Sequence, residues 1–196
     1  MKLVLATQNP KKLKEMNEIL SHLGVEVVSE AELGVRIEVE ETGETFTDNA
    51  RLKATAVMQA TGLPAVADDS GLCVDALNGG PGVYSARFGG EGLDDKGRYT
   101  LLLEMLRGQT DRAAHFHTSI VCAFPNGDEL VCEGECPGTI AFAPMGEGGF
   151  GYDPIFFVPE LRKTFGQLTA EEKASVSHRG KALRAFAAAL DDYLKG

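Results

Sequence analysis

At 196 residues, 43% of them hydrophobic and 24% charged, the chain has the composition of one large globular domain, or of one domain with two lobes. A formal net charge of −10, from 29 acidic and 19 basic side chains, argues against a nucleic-acid partner, because backbone binding takes a basic face. No apolar run approaches the ~18 residues of a membrane span, and the apolar residues after Met1-Lys2 are too few for a signal peptide, so a cytoplasmic protein with no membrane partner is expected.

Leu3 to Ala6 reads as a first strand. Asn9 is a good N-cap and Pro10 a good first helical residue. Leu13, Met16, Leu20 and Leu23 then recur at helical spacing, and Gly24 closes the helix. Strand, polar loop Thr7 to Lys12 and helix N-terminus together make a natural anion site. Lys11 and Lys12 oppose the helix dipole in that first turn, which favours a functional reason for their presence. Val25 to Val28 is a second strand. The acidic stretch Glu38, Glu40, Glu41 and Glu44 is either a solvated loop or, with Asp69, a source of oxygen ligands for Mg²⁺, which takes only one or two carboxylates and several waters. Thr45 to Asp48 opens a helix whose apolar residues Phe46, Ala50, Ala54, Val57 and Met58 run to Gly62, with Lys53 on the same helix.

Leu63 to Ala67 reads as a short buried strand that ends in Asp68-Asp69-Ser70-Gly71. Ligands of open α/β sheets sit outside the carboxyl ends of strands, which would place Asp68, Asp69 and Ser70 at a site mouth. The same residues are ordinary turn chemistry. Cys73 to Leu77 alternates like a further strand, Asn78 to Gly82 is a turn, and a helix is expected from about Asp94 to Arg107. Ala114 to Phe124 and Leu130 to Cys136 form strands around Asn126-Gly127, a strong hairpin signal. His115 and His117 share a face at period 2 and, with no third ligand evident, read as strand-surface residues. The four cysteines are scattered and read as reduced, mostly buried thiols.

Gly146, Gly148 and Gly151 fit G-x-G-x-x-G, but a dinucleotide fingerprint must follow a strand and open a helix. Here Tyr152-Asp153-Pro154 and the apolar run Ile155 to Val158 follow instead. Phe150 and Tyr152 suggest either a stacking platform for a flat ligand or a core aromatic pair at a turn. Thr169 to Glu172 is a capping box, Lys173 follows it, and Ser177-His178-Arg179 precedes the last helix. The alternation of strands and helices gives an α/β fold with a long hairpin inserted. No G-x-S-x-G elbow supports a serine hydrolase built on Ser70 and His178, and no P-loop motif supports a kinase or GTPase.

Five motifs occur in order: Thr7-x-Asn9-x-x-Lys12, Glu40-Glu41-Thr42-Gly43, Ala67-Asp68-Asp69-Ser70-Gly71-Leu72, Gly149-Phe150-Gly151-Tyr152-Asp153-Pro154 and Ser177-His178-Arg179-Gly180. Together they resemble the inosine triphosphate pyrophosphatase family, the non-canonical purine nucleoside triphosphate pyrophosphatases of the Ham1 and RdgB type, from residue 3 to about 190. The resemblance implies one domain over residues 1–196: an elongated, two-lobed α/β fold with a long mixed central sheet flanked by helices and an active-site cleft between the lobes. It implies Mg²⁺-dependent hydrolysis of ITP, dITP and XTP to the monophosphate and pyrophosphate, by a homodimer. It also implies residue roles. Thr7, Gln8, Asn9, Pro10, Lys11 and Lys12 would bind the triphosphate with Lys53 and Ser70. Glu40 and Asp69 would hold the metal, with Asp69 also the proton acceptor. Phe150, Gly151, Tyr152 and Asp153 would enclose the base, and Lys173, His178 and Arg179 would read its edge. The rival from another class is a non-catalytic purine-nucleotide sensor with the same pocket.

Overall fold

The computed structural model describes residues 1–196. Seven strands form one mixed sheet in the order β2-β1-β3-β4-β5-β6-β7: β1 (Lys2–Leu5), β2 (Glu26–Ser29), β3 (Ala65–Val74), β4 (Ala113–Ala123), β5 (Glu129–Ile140), β6 (Phe156–Val158) and β7 (Lys163–Thr164). Five α-helices accompany it: α1 (Pro10–Leu20), α2 (Phe46–Thr61), α3 (Asp95–Met105), α4 (Ala170–Val176) and α5 (His178–Lys195). Strand β1 runs parallel to both β2 and β3, whereas β6 runs antiparallel to β5 and β7.

The chain divides into two compact units: residues 1–69, 118–134 and 181–196, and residues 70–117 and 135–180. In the first unit the alternation of side chains along β1 and β3 sorts the core. Leu3, Leu5 and Val66 pack with Met16 and Leu20 of α1 and Phe186 and Leu190 of α5. From the other face, Val4 and Ala65 pack with Val57 of α2, and Ala67 packs with Ala50 and Ala54. The second unit buries Leu72, Leu102, Phe116, Phe156 and Phe165 around Tyr152 and Ile155. Each fully buried side chain of this size contributes about 1.5–3 kcal/mol.

The local signals act as expected at the helix ends. The Asn9 side chain accepts from the Lys11 amide, Thr45 and Asp48 form a capping box, and Gly24 and Gly62 close their helices in the left-handed conformation. Three expectations need correction. The strand read as Leu63 to Ala67 does not end at Asp68; β3 continues through Asp68-Asp69-Ser70-Gly71 to Val74, so these residues form no turn. Partners on both faces of the strand, described below, outweigh the low strand propensity of Asp and Gly. Asp75 to Leu77, read as strand, is a 3₁₀ turn. Helix α5 begins at His178, so His178 and Arg179 lie in its first turn rather than ahead of it, and the Ser177 hydroxyl accepts from the Gly180 amide (3.0 Å) as a cap.

Candidate functional site

The first polar group lies in the first unit, at the end of its core. Because side chains alternate along β3, Asp68 continues the Val66 face toward α1, and Asp69 continues the Ala67 face toward α2. Asp68 is 5% exposed, and its Oδ2 lies 2.7 Å from Lys12 Nζ, in the first turns of α1. On the other face Asn49 Nδ2 donates to Asp69 Oδ2 (3.2 Å), while Asn49 Oδ1 accepts from the Gly43 amide (2.8 Å). Lys53 Nζ donates to Glu41 Oε1 (2.7 Å) and to the Asp68 backbone carbonyl (2.8 Å), and it lies 3.9 Å from Asp69 Oδ1. The loop before α1 is ordered by its own polar groups: Thr7 Oγ1 accepts from the Asn9 amide (3.2 Å) and Asn9 Oδ1 from the Lys11 amide (2.9 Å).

The structure thus gathers Lys12, Lys53, Asp68 and Asp69 around one stretch of β3. Gln8, Asn9, Pro10 and Lys11 are exposed beside them in the chain, and Ser70 is exposed at the next position of the strand. Glu40 is also exposed; its neighbour Glu41 is the residue that reaches Lys53. No three His, Cys, Asp or Glu side chains converge as a metal cage. A magnesium ion needs no such cage, since one or two carboxylates with waters and substrate phosphates suffice. The partly open Asp69 carboxylate and the exposed Glu40 fit that donor set.

The second group lies in the second unit, on the glycine-rich loop and the segments against it. Phe150 is 76% exposed and Tyr152 only 5%, so the two rings do not form one slot. Tyr152 is a core residue: its hydroxyl donates to the Ser85 carbonyl (2.7 Å), and burial pushes its phenol up to about 12. Asp153, 3% exposed, accepts from the Phe150 amide (2.8 Å) and pairs with Lys173 Nζ (2.5 Å). Burial pushes the Asp153 carboxyl upward, against the pull of the Lys173 ammonium and the Phe150 amide. Lys173 Nζ also sits 4.6 Å from the centre of the Phe150 ring, a cation–π distance that steadies this exposed aromatic. The adjacent Gly151 amide donates to Asp95 Oδ2 (2.7 Å) at the start of α3. His178 stacks on Phe116 with ring centres 4.6 Å apart and planes 11° from parallel, and Arg179 follows it, half-buried.

The Ham1 family profile matches residues 3–189. The chain belongs to the Ham1 family. A dITP/XTP pyrophosphatase of Exiguobacterium is 50% identical to it over 196 residues, 100% of both chains. A dITP/XTP pyrophosphatase of Thermus thermophilus is 53% identical, over 98% of this chain and 93% of that one. The solved Ham1 protein of Staphylococcus aureus superimposes with a TM-score of 0.94 at 42% identity, covering 98% of this chain and 100% of that one.

In this Ham1 chain, sequence reasoning overlooked Asn49 and Asp95, and it took Glu41 only as a possible magnesium ligand, not as the partner of Lys53. Asn49 had a legible signal. It is fully buried, it stands beside Ala50 on the stripe that carries Ala54 and Val57, and it is one helical turn from Lys53. A polar residue at that phase must find a buried partner. Asp95 had none, because its acceptor role depends on a loop that arrives 56 residues later. The cysteines are free thiols; Cys122, Cys132 and Cys136 are buried, and burial raises Cys122 to about 12, which keeps it protonated and inert.

Proposed function

We propose that this protein hydrolyses non-canonical purine nucleoside triphosphates, dITP, XTP and ITP, between the α- and β-phosphates, releasing the monophosphate and pyrophosphate and so cleansing the nucleotide pool. One observation carries the reading: Lys12 and Lys53 arrive from two helices at Asp68 of β3, one at its carboxylate and the other at its carbonyl, and Lys53 also lies beside the partly open Asp69 carboxylate. Phosphoryl-type transfer asks for charge neutralisation and alignment more than for covalent chemistry. The relatives named above as dITP/XTP pyrophosphatases support the same assignment over the full chain.

In this proposal Thr7 to Lys12 and the N-terminus of α1 grip the triphosphate, with Lys53 and Ser70 on its other oxygens. When bound by Glu40 and Asp69, a magnesium ion supplies further neutralisation of the phosphate oxygens. Asp69 orients the attacking water and takes its proton; Asn49 and Lys53 fix the carboxylate for that task. Phe150 offers one aromatic face to the base, and Lys173 holds that ring. Tyr152 supports the loop from the core instead of stacking on the substrate. Stacking alone does not discriminate, because every base has a π-face. Arg179 and His178 supply the discrimination: hypoxanthine and xanthine present a 6-carbonyl acceptor to these donors, whereas adenine presents an amino donor. We further propose a cytoplasmic homodimer.

The test is a panel of nucleoside triphosphates incubated with protein and Mg²⁺, with pyrophosphate and orthophosphate detected separately. The expected result is pyrophosphate from dITP, XTP and ITP and little from ATP. Release of orthophosphate with a nucleoside diphosphate as first products would overturn the assigned cleavage. Binding without any turnover would leave the sensor reading.

A further inference from the structure

The structure assigns Asp68 to a task other than that of its neighbour: we infer that Asp68 is a positioning residue that sets Lys12 for the phosphates, and is neither a metal ligand nor a base. The inference rests on the proposed reading only in naming phosphate as what Lys12 meets. Three observations lead to it. Asp68 and Asp69 are adjacent in a continuous strand, so their side chains leave opposite faces of the sheet. Asp69 faces Asn49 and Lys53 of α2, and Asp68 faces Lys12 of α1. The Asp68 side chain is 3% exposed, where a hydrated ion has no room, while Lys12 keeps 32% of its side-chain surface open.

The pairing also answers a question posed by the helix itself. A lysine in the first turns of a helix opposes the dipole. Left alone it would turn its flexible stem into water. A buried carboxylate 2.7 Å from Nζ holds the ammonium against β3 instead. The Asp68 backbone carbonyl does the same for Lys53 at 2.8 Å. One residue therefore fixes the separation of both lysines, one through its side chain and the other through its main chain. A side-chain substitution removes only the first of these ties.

The experiment compares Asp68→Asn, Lys12→Met and the double variant, with inorganic pyrophosphate as the probe ligand in calorimetric titration. Each single change is expected to weaken pyrophosphate binding by about threefold to tenfold or more, the range of coupled contact pairs. The double variant should bind no worse than the weaker single variant, because a lysine that is absent cannot be mispositioned. In turnover, Asp68→Asn should raise KM more than it lowers kcat, and the half-saturating Mg²⁺ concentration should stay at the wild-type value. An Asp68→Asn penalty that is undiminished in the Lys12→Met background, or a shift in half-saturating Mg²⁺, overturns the inference in favour of a direct role.

Thermal melting supplies an arm that needs no substrate. Lys12→Met takes a cation from beside a buried carboxylate, so adding Asp68→Asn, or Asp68→Ser if the amide does not fit, should restore stability relative to Lys12→Met alone. Failure to restore refutes the pairing. Wild-type protein that releases no pyrophosphate from any triphosphate would refute the proposed function, while the pyrophosphate titration would still judge this inference.

Discussion

Gly149 tests how tightly the base-side loop is built. Its φ is +78°, and a Cβ added there would lie 1.9 Å from Asp153 Oδ2 and 2.7 Å from its Cγ. That carboxylate cannot step aside freely, since it is 3% exposed and tied to the Phe150 amide at 2.8 Å and to Lys173 at 2.5 Å. Gly149→Ala therefore combines left-handed strain of about 1–2 kcal/mol with the loss of at least one hydrogen bond to a charged group, about 1.5–3 kcal/mol. The sum is roughly 2.5–5 kcal/mol. For a chain of this size that lowers Tm by roughly 5–20 °C. Gly151 is the internal control, because its φ is +59° and nothing lies within 4 Å of an added Cβ. Gly151→Ala should cost the strain alone, roughly 2–8 °C. Scanning calorimetry reads both variants, and Gly149→Ala should also raise KM for ITP by releasing Phe150. Equal losses of Tm in the two variants would refute the argument that Asp153 is the immovable partner.

Three further outcomes are expected. Asp69→Asn should lower kcat by about 10²–10⁴ with Tm within a few degrees of wild type; a variant that keeps more than roughly a tenth of wild-type kcat would move the role of proton acceptor elsewhere. Arg179→Ala should reduce kcat/KM for ITP sharply and shrink the ITP/ATP ratio, since a buried donor facing the adenine amino group costs about 1–3 kcal/mol or more; an unchanged ratio means that other groups read the base edge. Asp153 gives a pH test. Its folded-state carboxyl titrates above the ordinary value of about 3.9. The folded chain thus takes up this proton before the unfolded chain does, and this group favours the fold increasingly as pH falls through the interval. The stability difference, wild type minus Asp153→Asn, should rise as pH is lowered from neutrality toward the ordinary carboxyl value of about 3.9 in denaturant titrations; a flat or falling difference would contradict the assignment.

Much of the fold was legible because the signals were local. Asn9 and Pro10 open α1, Gly24 and Gly62 close helices, and Asn126-Gly127 turns the hairpin, each through backbone geometry that neighbouring residues decide. The errors fell where tertiary partners decide. Phe150 and Tyr152 are two residues apart on one loop and look equivalent in sequence. One is 76% exposed and the other 5%, because only Tyr152 has the Ser85 carbonyl within reach of its hydroxyl. A tyrosine that buries its ring needs such an acceptor, and a phenylalanine does not, so the polar handle sorts the pair.

The adjacent acids show the same limit more sharply. As a turn, Asp68-Asp69 would place both carboxylates at one mouth, where like charges compete for a single proton or metal. As a strand, the same two residues serve opposite faces and need not compete at all. The choice between those descriptions depends on whether β3 stops at Ala67, which no residue between 65 and 74 announces. It is settled by Lys12 on one side and by Asn49 and Lys53 on the other, residues drawn from two helices as many as 56 positions away. Each helix supplies a donor that makes an acidic residue tolerable in a sheet interior. The donors that permit the strand to continue are also the cations proposed to meet the phosphates. Changing them should therefore disturb binding and the local strand together, so variants at Lys12 and Lys53 are best read against their melting temperatures before any loss of rate is assigned to chemistry.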